Sequence, residues 1–482
     1  MISAFLLAVL ALPPARAGSL SYAQALERAL AANPSLVQSE ATLLGAEGSL
    51  ITARGTFDPS FGLGADAQNN VSESFSQFGQ VASHTRRSGF STSLNQFLPT
   101  GTSLGLGWSV DSATYLYELL DTGMTWEQQE PQRYSTLSFS IAQSLLQGHR
   151  LAYNLSAVRE AERTVSQAEA SLQVARLAAV ADTAEAYWNL VYLQDLEVIA
   201  REAVAVAQEE QRVVQAMVAA GQLAPVEGTR VEAAVVQAKT SLLEAEARRR
   251  AGSEALALLL GVDPQEPIAP ESQPQEPVAL ALDDARVVEA AMAGNPSLLV
   301  YRSEVDSAEV ALSNARHARL PELQLTGGAG LNGYEPGFAD AVGEMFDGKL
   351  RYWQVGADLS VPLGNRADRG RVQQAQANLA IARQQLEAME RTVAANVLIQ
   401  VRAVETGRQR VELADANLRL AEATLSAEKA RQREGRAIQK DVLEAQRAVS
   451  NAQGARVQAR VEYALAVVEL GRLQGRIEGV AR

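Results

Sequence analysis

The chain has 482 residues, a formal charge of −13 and no cysteine. The charge argues against nucleic acid as a partner, because phosphate binding needs a basic surface. The missing cysteine excludes disulfides, thiolate metal sites and a lipid anchor on cysteine.

Residues 1–17 read as a secretory signal peptide. Positions 2–12 are almost wholly apolar, and Ala15-Arg16-Ala17 is a small-x-small cleavage site. No other stretch approaches the roughly 20 apolar residues of a membrane helix. Helix is predicted over 21–54, broken by Asn33-Pro34, since proline ends one helix and fits the first turn of the next.

Residues 57–145 change texture. Apolar residues alternate with Gly, Ser, Asp and Gln, the period of a strand. Four strands are predicted, at 57–69, 87–98, 102–112 and 133–145. The intervening 70–86 and 113–132 are expected to be outer loops. Aromatic residues make up only 5% of the chain. Many sit here, among them Trp108, Tyr115, Tyr117, Trp126 and Tyr134, as in the girdles of membrane barrels.

Residues 149–260 return to helix, with no proline before Pro225. Some 70 helical residues would span roughly 100 Å. Alanine and other small residues at three- and four-residue steps suit close lateral packing. The helix turns back at Gly221-Gln222-Leu223. A linker over 263–281 has five prolines in its first fifteen residues, which makes it stiff and extended.

The pattern then repeats. Asn33-Pro34-Ser35-Leu36 returns as Asn295-Pro296-Ser297-Leu298, Ala53-Arg54 as Ala315-Arg316 and Pro59 as Pro321, all 262 residues on. The first repeat is 18–262 and the second 282–482. In the second, helices are predicted over 282–319, strands at 321–332 and 350–363, and helices over 366–476. From Gly148 to Gly221 is 73 residues and from Gly364 to Gly435 is 71, so the helical parts match. From Pro59 to Gly148 is 89, against 43 from Pro321 to Gly364. The surplus points to an added hairpin centred on Pro99-Thr100-Gly101. That makes six strands per chain.

The paired Asn-Pro-Ser-Leu segments, the strand–helix junctions Leu145-Leu146-Gln147-Gly148 and Val361-Pro362-Leu363-Gly364, and the run from Gly435 through Asp441-Val442-Leu443-Glu444 together resemble the TolC-type outer-membrane efflux proteins. The resemblance covers essentially the whole mature chain. It implies an α+β membrane protein: a homotrimer whose β-barrel, embedded in outer-membrane lipid, is continued by a long α-helical barrel in the periplasm. With six strands per chain, the shared barrel would have eighteen. It also implies a passive exit duct for efflux or type I secretion, working with a periplasmic adaptor and an inner-membrane transporter, and gated at the periplasmic helix tips. Asp441 and Glu444 match the gate carboxylates. Glu227, Arg460 and, by substitution, Arg436 match latch residues. The tips Gly221, Gln222, Leu223, Glu434, Gly435 and Arg436 would dock the adaptor. No nucleophile, metal or phosphate-binding constellation is present, so neither an enzyme nor a cofactor is expected. The competing reading is a trimeric adhesin stalk, which would show sustained heptads rather than small residues on several helix faces.

Overall fold

The computed structural model describes residues 19–476 apart from 77, 78, 121, 128–130, 275, 278–282, 435, 437 and 438. The expected leader, 1–17, lies outside the described residues. In chain order, the short strand β1 (Ser19–Leu20) leads into α1 (Tyr22–Ala32) and α2 (Pro34–Arg54). Five strands follow: β2 (Ser60–Ser76), β3 (Gly79–Leu98), β4 (Thr102–Leu119), β5 (Met124–Glu127) and β6 (Gln132–Ser144). Next come α3 (Leu151–Asn154), α4 (Ser156–Ala219), α5 (Pro225–Leu259) and the two-residue strand β7 (Ala269–Pro270). The second half contains α6 (Asp284–Gly294), α7 (Pro296–His317), β8 (Glu322–Glu335), α8 (Phe338–Asp347), β9 (Leu350–Ser360), α9 (Arg366–Arg433) and α10 (Gln439–Leu473).

The chain divides into two units, one from 1–44, 167–302 and 384–482, the other from 45–166 and 303–383. The first is helical. Ser21 and Gln24 start α1 with a reciprocal capping box, which satisfies two otherwise orphaned backbone donors. Tyr22, Ala25, Leu26 and Ala29 then fall on one face and are buried. That face packs on Tyr187, Trp188 and Leu190 of α4 and Leu256 of α5. The Tyr187 hydroxyl donates to the Leu20 carbonyl at 2.8 Å and accepts from the Ser272 amide at 3.0 Å, pinning the linker to this core. The second repeat builds its own version. Val287 and Ala291 of α6 pack with Val397, Val401, Tyr463 and Leu470 of α9 and α10.

The second unit contains one antiparallel sheet, ordered β2-β3-β4-β6-β8-β9, with β5 pairing the end of β4. Its register separates two faces. One cross-strand row reads Phe61, Leu94, Leu106, Phe139, Ala329, Trp353. Its five large members are all exposed, Trp353 at 79%. The adjacent row on the opposite face reads Gly62, Ser93, Gly107, Ser138, Gly330, Tyr352. An exposed apolar face backed by Gly and Ser is the reverse of a water-soluble sandwich and is what a lipid-facing sheet requires.

Two features depart from the sequence reading. The expected loops at 70–86 and 113–132 are largely strand. β2 and β3 stay paired from Ser60↔Asn95 to Ser76↔Gly79, and β4 continues to Leu119. Polar pairs such as Asn69↔Arg86 and Ser72↔Ser83 carry the ladder there. Backbone pairing needs no apolar alternation, so the period-two signal stops before the strand does. The other departure is α8, which lay between the two predicted strands. It packs Met345 against Ser135, whose hydroxyl lies 3.2 Å from the Met345 sulfur. Gly333 permits this, since a Cβ there would lie 1.8 Å from the Ala341 carbonyl oxygen.

The strand–helix junctions gather at one edge of the sheet. The Gly101 amide closes the β3–β4 turn to the Leu98 carbonyl at 3.0 Å, and the Asn154 amide donates to both Pro99 and Gly148 carbonyls. His317, buried at the end of α7, accepts the Gly148 amide on Nε2 at 3.0 Å. Its ring lies 4.6 Å from that of Tyr153 and 5.3 Å from that of His149. Burial, with His149 and Arg150 nearby, holds its pKa below the ordinary histidine value.

Candidate gate and helix tips

Two helical hairpin tips carry the residues singled out by the sequence. The first joins α4 to α5. Gly221 takes a left-handed φ of +70°. Its amide bonds the Val218 carbonyl, and the Gln222 amide bonds that of Met217, each at 3.0 Å. This crossed pair ends a helix where only glycine is unstrained. Pro225 then restarts the chain at the first helical position. Gln222 and Leu223 are exposed. Glu227 lies in the first turn of α5, where a carboxylate favours the helix dipole. It pairs with Arg230 at 3.0 Å.

The second tip joins α9 to α10, and its Gly435 lies outside the described residues. Around it the charges pair locally: Arg431 with Glu428 at 2.8 Å, Arg436 with Glu434 at 3.4 Å and Lys440 with Glu444 at 3.5 Å. The last two pairs are exposed and contribute little to stability, so the tip remains a charged surface. Val442, Ala445 and Val449 form the buried face of α10. Val449 and Ala452 pack on Leu418 of α9. Asp441 and Glu444, three apart, lie off that face, Asp441 half-buried and Glu444 exposed. The hairpin packing therefore turns Glu444 away from its partner helix and leaves Asp441, one turn before Ala445, at the margin of the packed face.

Arg460 lies elsewhere on α10, 19 residues beyond Asp441, or about 28 Å of helix. It bonds Asp415 of α9 at 3.6 Å and Glu276 of the linker at 3.5 Å. Arg456 joins Asp415 at 3.0 Å. Asp415 had no signal in the sequence, being one carboxylate among many on a long charged helix. The same is true of Glu197. It is buried on α4 and receives both Arg201 and Arg249. Closer to the tips, α4, α5 and α10 enclose a groove of about 710 Å³, lined by Val206, Glu210, Ala234, Leu443 and Arg447 among others. Among the described residues, no cluster of three His, Asp or Glu is placed to hold a metal, and no helix is long and apolar enough to cross a membrane.

The doubled helical unit and the outward-apolar sheet match one family model, that of the outer membrane efflux proteins, over residues 25–262 and 287–476. The chain belongs to the outer membrane efflux protein family. It is accordingly an outer-membrane exit duct of efflux systems, with its long helices in the periplasm. No curated protein sequence matches it significantly. Solved structures share the fold. The CmeC outer membrane channel of Campylobacter jejuni is 16% identical with a TM-score of 0.70, over 95% of this chain and 86% of that one. The outer membrane protein VceC of Vibrio cholerae is 19% identical with a TM-score of 0.66, over 94% and 96%. The MtrE outer membrane channel of Neisseria gonorrhoeae, solved in its open state, is 18% identical with a TM-score of 0.65, over 95% and 89%.

Proposed function

We propose that three copies of this efflux duct share a single β-barrel of eighteen strands, six from each chain. The observation that carries this is the open sheet: among the described residues β2 and β9 each have a free edge, and the apolar face between them is exposed. Unpaired strand edges are not tolerated in lipid, so β9 of one copy pairs with β2 of the next. A water-soluble adhesin stalk would leave the row from Phe61 to Trp353 facing water, which disfavours that reading.

The duct is passive and opens at its helix tips. Three copies of Asp441 and Glu444 form two acidic rings, which attract cations and are plugged by them. Glu227 and Arg436 act as latch residues at the tips, and Arg460 braces the hairpin farther along through Asp415. The exposed tip residues Gln222, Leu223, Glu434 and Arg436, with Gly221 and Gly435, receive a periplasmic adaptor. An inner-membrane transporter supplies the energy.

The absence of cysteine makes a direct test possible. Single cysteines placed on the outer edges of β2 and β9, for example Leu63→Cys with Val355→Cys, should give an oxidised, SDS-resistant ladder ending at a trimer. A ladder that stops at the monomer would sink the shared barrel. Channel steps in a planar bilayer should accompany the trimer.

A further inference from the structure

The edge of the sheet that meets the helices is basic, although the chain is strongly acidic. Register places the starts of β2, β4 and β8 and the ends of β3, β6 and β9 together there. The junction segments 54–59, 145–151, 316–322 and 361–371 hold seven arginines against three carboxylates. The opposite edge carries no such excess. Among its described residues, Glu73, Glu118, Glu335, Asp340, Glu344 and Asp347 stand against Arg86, Arg87, Arg133, Lys349 and Arg351.

Local ion pairs do not consume this charge. Arg54 pairs with Glu162 and Arg371 with Asp368. Among the described residues, no carboxylate lies within 4.0 Å of Arg150, Arg316, Arg319, Arg366 or Arg369, and all five are exposed. Arg150 and Arg316 share a hollow of about 690 Å³ with Leu320. The Asn365 amide donates to the Arg319 carbonyl at 3.1 Å, which draws the β9–α9 junction against the α7–β8 junction.

Apolar side chains lie next to these arginines. Leu145, Leu151, Leu320, Val361 and Leu363 are exposed, Leu363 at 97%. Val355 and Leu359 of β9 share the face of Trp353, and the exposed Val361 and Leu363 follow the end of the strand, the latter three residues before Arg366. Greasy residues followed at once by unpaired guanidinium groups suit the boundary between acyl chains and headgroups. Guanidinium groups bind phosphate through paired hydrogen bonds.

We propose that this edge is a binding collar for anionic glycerophospholipid headgroups in the periplasmic leaflet of the outer membrane. The proposal rests on the outer-membrane assignment and adds which lipid charge the duct selects, and where. The phosphate of the headgroup lies between the unpaired arginines, and its acyl chains lie along the exposed row of the sheet. The opposite edge, where the charges nearly balance, makes no such selection.

The test uses the full-length assembly, purified in detergent and titrated with phosphatidylglycerol or phosphatidylcholine, with bound lipid counted by native mass spectrometry. Wild type should prefer phosphatidylglycerol by at least about fivefold, the attraction expected of a single interfacial arginine. The variant R150Q/R319Q/R366Q/R369Q should bring that preference close to one. R133Q/K349Q/R351Q, at the other edge, should leave it unchanged. Millimolar inorganic phosphate should not displace the lipid; displacement would make the site one for free phosphate and overturn the lipid assignment. The proposal is also overturned if wild type shows no preference, or if the quadruple variant or its opposite-edge counterpart behaves otherwise. Should the quadruple variant not assemble, the single variants R150Q and R366Q should each lower the preference about twofold or more; neither doing so is equally decisive against the collar. Conductance in a neutral bilayer separates this from the duct itself, because a folded quadruple variant should still form channels.

Discussion

Asn33 and Asn295, 262 residues apart, perform the same three tasks. Each side-chain Nδ2 donates to the last carbonyl of a long hairpin, Asn33 to Leu259 at 3.3 Å and Asn295 to Leu473 at 3.0 Å. Each Oδ1 accepts the amide two residues on, Ser35 or Ser297, at 2.9 Å. Each backbone amide closes the helix before it, onto Ala29 at 3.0 Å or Ala291 at 2.9 Å. One side chain thus ends a helix, starts another and holds the return of the long hairpin.

Replacing Asn295 by Ala leaves the buried Leu473 carbonyl without its side-chain donor and the start of α7 uncapped. The expected loss is about 1–3 kcal/mol, read as a lower melting temperature of the detergent-solubilised protein. Asn33→Ala should cost less, since its bond to Leu259 is longer. The two sites belong to separate cores, so their effects should add to within about 0.5 kcal/mol. Strong coupling would show that the repeats do not act independently.

Gly101 and Gly123 both have left-handed backbones, with φ of +78° and +67°. A Cβ on Gly101 would lie 2.2 Å from the Gly148 carbonyl oxygen, whereas one on Gly123 meets nothing within 4 Å. Gly123→Ala should therefore cost only the backbone strain, about 1–2 kcal/mol. Gly101→Ala should cost clearly more, because it also forces the β3–β4 turn away from the junction. Equal melting temperatures for the two variants would refute this account of the turn.

His317 gives the junction a dependence on pH. Its folded pKa is depressed, chiefly by burial, so the unfolded chain binds the proton more readily. Its contribution to stability is intact above the ordinary histidine pKa of about 6.5 and is lost as pH falls through that value towards the depressed folded one. His317→Gln keeps an acceptor for the Gly148 amide and removes the titration. The slope of melting temperature against pH between about 6.5 and 5 should be shallower in this variant. An unchanged slope would assign the effect to other groups.

At the tip, Asp441→Ala with Glu444→Ala should raise single-channel conductance and weaken block by divalent cations. The trimer loses six carboxylates; at about 1 kcal/mol per charge at 4 Å in water, losing even two such contacts weakens block at least on the order of tenfold. Lys440→Ala should act oppositely, because it frees Glu444 from a partner at 3.5 Å. Block that ignores all three changes would place the constriction elsewhere.

How much was legible in the sequence follows from the range of each interaction. The repeat, the breaks at Asn33-Pro34 and Asn295-Pro296, the glycine turn at 221 and the alternation along Leu104 to Val110 all act over a few residues, so local order determined them. Strand length was read short beyond Asn69, because polar pairs such as Asn69↔Arg86 hold a ladder through backbone bonds alone. Helix α8 was read as part of a strand-to-strand connection although Ala341 and Met345 lie on one apolar face, and its docking on the sheet depends on the room left at Gly333.

For the candidate site, the sequence could mark Asp441 and Glu444 as acids three apart, but not which way they face. Burial of Val442, Ala445 and Val449 against a helix many residues away decided that. The pairings of Arg460 with Asp415 and of Arg249 with Glu197 likewise join positions 45 and 52 apart, as does the meeting of four arginine-bearing junctions at one sheet edge. Sequence by itself determined the kind of most elements, since propensity and capping are local, but not α8 or the far ends of β2, β3 and β4. Only the tertiary structure decided which charges are paired and which remain free, because pairing depends on packing between segments far apart in the chain.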